Sequence, residues 1–86
     1  MNKNEPYAHE GVLLALDLYV RHGVKPGGFL TAVLQNKLKE AYQCADDYNT
    51  EHMWHLVKHL YWEIPAEAWG SEEKFEKWIK HRNENK

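Results

Sequence analysis

One cysteine, Cys44, stands in 86 residues, so no disulfide can close within the chain and no zinc site built from four thiolates can be assembled. Missing too is any apolar run near the ~20 residues that span a bilayer. The opening Met1 to Tyr7 is polar and lacks the basic-then-apolar layout of an export signal. These absences lead us to expect a protein of the cytoplasm with no membrane partner. A basic excess is lacking as well: Lys and Arg total 11 against 13 Asp and Glu, for a formal net charge of −2. Phosphate backbones are gripped by clustered cations, so nonspecific nucleic-acid binding is disfavoured. No useful period-two alternation and no internal repeat is found. The expected class is therefore all-α, a compact bundle of four to five short helices in a single domain over 1–86, with 1–5 and 82–86 frayed.

What is present is helical patterning interrupted by sharp breaks. Hydrophobic residues make up 43% of the chain and aromatics 13%, enough for one core. Pro6 suits a first turn and Gly23 a left-handed stop, which predicts a first helix from Pro6 to about His22. Val12, Leu13, Leu16, Tyr19 and Val20 share one face, and Leu14 and Leu18 point away beside Arg21. Val24 to Gly28 breaks the chain, and Phe29 to about Ala45 resumes a helix; Asn36 and Lys37 leave open two shorter helices with a bend. Asp46 is the favoured cap of a third helix reaching Ile64, ended by Pro65. After a short connector, Ser71 caps the last helix, with Glu72 and Glu73 in its first turn and Phe75, Trp78 and Ile79 facing inward.

The words Pro26-Gly27-Gly28-Phe29-Leu30-Thr31-Ala32-Val33-Leu34-Gln35-Asn36, Ala45-Asp46, Asn49, Pro65-Ala66, Trp69-Gly70-Ser71-Glu72-Glu73-Lys74 and Trp78 together resemble a group of small uncharacterised bacteriophage and prophage proteins. The resemblance runs from the first helix to Trp78. It implies a phage-encoded accessory role in the cytoplasm of a bacterial host cell, and it transfers no catalytic residue.

The segment Asp46 to Ile64 carries more bulky and titratable side chains than one face of a small fold uses. At about 100° per residue, Met53, Leu56, Val57, Leu60 and Ile64 form one stripe, while His55, His59 and Trp62 fall on the far side with Trp54 on the flank. Tryptophan anchors interfaces because it buries a large area with few rotatable bonds. Trp54, His55, His59 and Trp62 are accordingly the candidate interface residues.

Other constellations point elsewhere. His55 and His59 are spaced i, i+4, near His52, Glu51 and Glu63, as two ligands of one metal ion would be. The glutamate that a zinc-hydrolase helix needs directly after its first histidine is replaced by Leu56. Lys25, Gly27 and Gly28 before a helix offer free N–H groups and an ammonium, the ingredients of an anion site, without the strand or spacing of a phosphate loop. Cys44 falls in the inward-to-flanking sector of the second helix and reads as a small buried structural thiol, and no histidine is fixed beside it by local spacing. Paired acids at helix starts are explained by capping.

The sequence thus leads to the expectation of a non-catalytic protein–protein interaction module without a cofactor, whose partner is another protein or itself in a homo-oligomer. The alternatives are an oligomeric binder of an anionic small ligand such as a nucleotide, and a histidine-based metal-binding protein.

Overall fold

The computed structural model describes residues 7–84. Among them the order is α1 (Glu10–His22), α2 (Gly28–Leu34), α3 (Leu38–Cys44), α4 (Asp47–Glu51), α5 (Met53–Glu63), a 3-10 turn (Ala66–Ala68) and α6 (Glu72–Glu84), with no strand. The all-α bundle is as expected. Its helices outnumber the four to five read from the sequence because two long patterns are each cut in two.

α1 begins four residues after Pro6, which lies outside the described residues. The His9 side chain sets the boundary, since its Nδ1 accepts from the Val12 N–H at 3.2 Å and takes up a donor that the first turn leaves unpaired. Ahead of it, the Tyr7 hydroxyl donates to Asn49 Oδ1 and the Ala8 N–H to the Tyr48 hydroxyl at 3.0 Å, so residues 7 and 8 are strapped to α4. At the other end Gly23 takes φ 68°, and the N–H groups of Gly23 and Val24 close on the carbonyls of Tyr19 and Leu18. That left-handed cap is inexpensive only for glycine.

α2 stops at Asn36, which adopts φ 61°; the Lys37 N–H then reaches back to the Ala32 carbonyl at 2.8 Å. Asparagine tolerates this conformation better than other side chains with a Cβ, so the bend left open by the sequence is a true break. Asp46 caps α4 as expected, accepting from the Asn49 N–H at 2.8 Å. The expected single helix to Ile64 is nevertheless interrupted at His52 (φ −109°, ψ 19°). Both the backbone N–H and ring Nδ1 of His52 converge on the Tyr48 carbonyl, at 2.9 and 2.8 Å. A side chain competing for a ladder carbonyl is a recognised cause of such kinks.

The core gathers Leu16 and Tyr19 of α1, Leu30 and Leu34 of α2, Leu56 and Leu60 of α5 and Phe75 of α6, all buried. Tyr19 joins three of its parts. Its ring stacks on Phe75 with centroids 5.2 Å apart, its hydroxyl donates to the Ala68 carbonyl at 2.6 Å, and its own carbonyl accepts from the Trp78 indole at 3.2 Å. The connector is fixed by a bond from the Gly70 N–H to the Leu34 carbonyl at 2.8 Å. Ser71 caps α6 as expected, its Oγ accepting from the Lys74 N–H at 3.1 Å. α6 runs through Glu84, beyond the expected fading at 82, and the Arg82 guanidinium lies 4.2 Å from the centre of the Trp78 ring. That cation–aromatic contact, between residues four apart on one helix, ties the last described turn of α6 to the turn before it. Residues 1–5, 85 and 86 lie outside the described residues.

Candidate interaction surface

α5 lies with Met53, Leu56 and Leu60 in the core. A helix held this way turns the arc of Trp54, Val57, Lys58, Tyr61 and Trp62 outward. Trp54 is 60% exposed, Tyr61 69% and Trp62 72%, and Val57 is exposed at the edge of the same arc. Tyr61 and Trp62 meet edge to face with centroids 5.2 Å apart, so adjacent residues form one aromatic ridge.

Beside the ridge runs an open groove of about 510 Å³, walled by Tyr61, Trp62 and Ile64 on one side and by Ala66, Trp69, Gly70 and Lys74 on the other. Trp69 also lines a notch of about 80 Å³ where Leu38 and Ala41 of α3 face Met53 and Val57. Leu38, 69% exposed, extends the apolar surface from α5 onto α3. The breaks described above create this shape: Pro65 turns the chain so that Trp69 comes back across α5, and Asn36 lets α3 leave the line of α2.

Of the four expected interface residues the structure brings Trp54 and Trp62 to one surface and separates the two histidines from it. His55 is a correction. It is 2% exposed, and its ring lies 5.5 Å from that of His52, the residue at the kink. His59 is half-buried and faces α1, in a groove shared with Leu13, Asp17, Arg21 and Glu63. Val57, expected in the core stripe, lies at its exposed edge. Tyr61, Leu38 and Trp69 were missed. The i, i+3, i+7 spacing of Trp54, Val57 and Tyr61 was the available signal for Tyr61, whereas Leu38 and Trp69 join through tertiary packing that no local pattern encodes.

The remaining candidates are dispersed. Gly27 caps α2, which has only seven residues, Lys25 is exposed, and the Thr31 hydroxyl already donates to the Pro26 carbonyl at 3.0 Å. None of the grooves described above includes Lys25, Gly27 or Gly28. Cys44 is exposed at the end of α3, correcting its expected burial; α3 is a separate helix with Ala41 as its buried contact. Among the described residues no group of three or more His, Cys, Asp or Glu side chains is arranged to hold a metal ion, and no helix is long and apolar enough to cross a membrane. A wider groove of about 660 Å³ along α6 is lined by Trp78 with Lys74, Lys77, Lys80 and His81, but also by Glu67 and Glu84. Lys77 there is paired with Glu73 at 2.8 Å, so its charge is mixed.

No known protein family, curated protein or solved structure matches this chain.

Proposed function

We propose that this chain is a small non-catalytic interaction module that docks a protein partner through the outer face of α5. The observation that carries this reading is the ridge of Tyr61 and Trp62, with Trp54 two turns away, left in solvent beside an apolar groove. At roughly 150–250 Å² for a fully exposed large aromatic side chain, these three residues leave on the order of 300–500 Å² accessible. Leu38 and Val57 widen that surface, which lies within the roughly 300–600 Å² that a monomer shows as its largest and often functional apolar patch. Aromatics concentrated where charge is sparse are the composition of an interface centre. An accessory role in a phage-infected bacterium is part of the proposal, supported by the resemblance carried by Pro26 to Asn36 and Trp69 to Lys74.

The test is affinity capture from bacterial lysate with the intact chain and with Trp62→Lys. A protein retained by the first and lost from the second is the expected result. Identical captures by folded forms of both would refute the assignment of docking to this face.

A further inference from the structure

We infer that His9 is a proton-operated latch at the junction of α1 and α4: neutral, its ring caps α1, and protonated, it lets go of that helix and turns to Asp46. One imidazole here touches two helix starts. Its Nδ1 accepts from the Val12 N–H at 3.2 Å, and its Nε2 lies 3.6 Å from Asp46 Oδ2. The other Asp46 oxygen accepts from the Asn49 N–H at 2.8 Å, and Asn49 Oδ1 accepts from the Tyr7 hydroxyl. A single run of polar contacts thus joins Val12 to Tyr7 through His9, Asp46 and Asn49. Gly11 leaves the ring its place, because a Cβ there would lie 3.3 Å from His9 Cε1.

The geometry fixes where the protons sit. An amide N–H can only donate, so Nδ1 offers Val12 its lone pair, and the one proton of the neutral ring is on Nε2, toward Asp46. A second proton has only Nδ1 left to occupy. There it would face the Val12 N–H donor against donor, and the new charge would stand at the positive end of α1. Asp46 draws the other way, since a carboxylate attracts the full cation more strongly than a neutral N–H. Protonation therefore exchanges a helix cap for an ion pair. α4 and α6 are capped by Asp46 and Ser71, residue types that cap habitually. α1 alone relies on an acceptor that a proton removes.

The groups around the ring leave Asp46 as its partner. Tyr48 of α4 and Tyr7 also face it, with centroids 5.5 and 6.5 Å away, and phenols gain no charge as pH falls. Glu10 and Asp47 are the other acids in the first turns of α1 and α4. His52 stacks on Tyr48 with centroids 4.0 Å apart, but its Nδ1 donates to the Tyr48 carbonyl. Its vacant nitrogen is Nε2, so a second proton leaves that bond in place. The latch belongs to His9 and not to His52. The His9 side chain keeps 32% of its surface in solvent, which gives protons direct access.

A nuclear magnetic resonance titration of the full chain from about pH 8 to about pH 5, the span in which imidazoles change charge, tests the inference. The expected result is that Nδ1 of His9 takes up a proton and the Val12 amide resonance moves with the same midpoint. Val12 should lose about two- to thirtyfold of its protection against solvent exchange, the scale of a lost helix cap, and the contact between the His9 ring and Gly11 should weaken. The Asn49 amide, held by Asp46, should keep its protection. In His9→Asn and His9→Ser, which cap without titrating, the Val12 resonance should stay flat. A His9 ring that titrates while Val12 stays unmoved overturns the inference. Equal losses at Val12 and Asn49 overturn it as well, as does a Val12 response that survives in either variant.

Discussion

Gly23 meets two demands at once. Its φ of 68° belongs to the left-handed region, and a Cβ placed there would lie 2.8 Å from the Cβ of Arg82 and 3.1 Å from the Ile79 carbonyl oxygen. Gly23→Ala should therefore cost about 2 kcal/mol or more, a fall in Tm of roughly 8–16 °C for a domain of this size, read by thermal denaturation. Tyr19 gives a second residue-scale expectation. Burial pushes its phenol well above the ordinary value of 10.0, with Glu76 adding to the effect, and burial raises Tyr7 likewise, helped by Tyr48 and Asp46. Because the folded chain holds these protons more tightly than the unfolded chain, stability is intact below pH 10 and falls above it. The limiting slope is about 1.4 kcal/mol per pH unit for each tyrosine. Urea titrations from pH 8 to 11 should show that loss, and Tyr19→Phe should flatten it. The same substitution should lower neutral-pH stability by about 1–2 kcal/mol, because the buried Ala68 carbonyl loses its donor.

Among the elements, the breaks decide the architecture. Asn36 ends α2 in a conformation that glycine adopts freely, so Asn36→Gly should be neutral or slightly stabilising and Asn36→Ala should cost about 1 kcal/mol; denaturant midpoints for the pair would check both. These stops differ in how well the sequence announces them. Gly23, Asp46, Pro65 and Ser71 act through the chemistry of a single residue on its nearest neighbours, and each is legible in place. Asn36 shows as a weak point, because its turn depends on a bond from Lys37 to Ala32 that is still local. The stop at His52 does not show, since histidine has no strong helix-breaking tendency and its ring acts only once it has found the Tyr48 carbonyl. The burial of His55, whose ring lies beside that of His52, does not show either. The periodicity of α5 was sound, but what covered its flank came from outside the helix.

Over the whole molecule, large aromatic side chains divide into two groups with opposite consequences. Phe75 is sealed in the core, so Phe75→Ala should cost about 3–5 kcal/mol, a large share of the roughly 4–13 kcal/mol available to a chain of this length. Trp62→Lys should leave monomer stability within about 0.5 kcal/mol, and chemical denaturation of the two variants side by side would separate the roles. The exposed aromatic ridge was legible as a surplus of bulky residues on one helix; its extension onto Leu38 and Trp69 was not, because it arises where segments distant in sequence meet. The meeting of distant segments at Tyr19 bears on how the protein is made. All three attachments of that residue, to Ala68, Phe75 and Trp78, belong to stretches translated some fifty residues later, so a nascent chain stalled before Ala68 can gather the Leu30, Leu34, Leu56 and Leu60 side of the core but leaves Tyr19 without its lid. Ribosome-bound chains halted there should be digested readily by protease, and resistance should arise only once the segment through Trp78 has emerged.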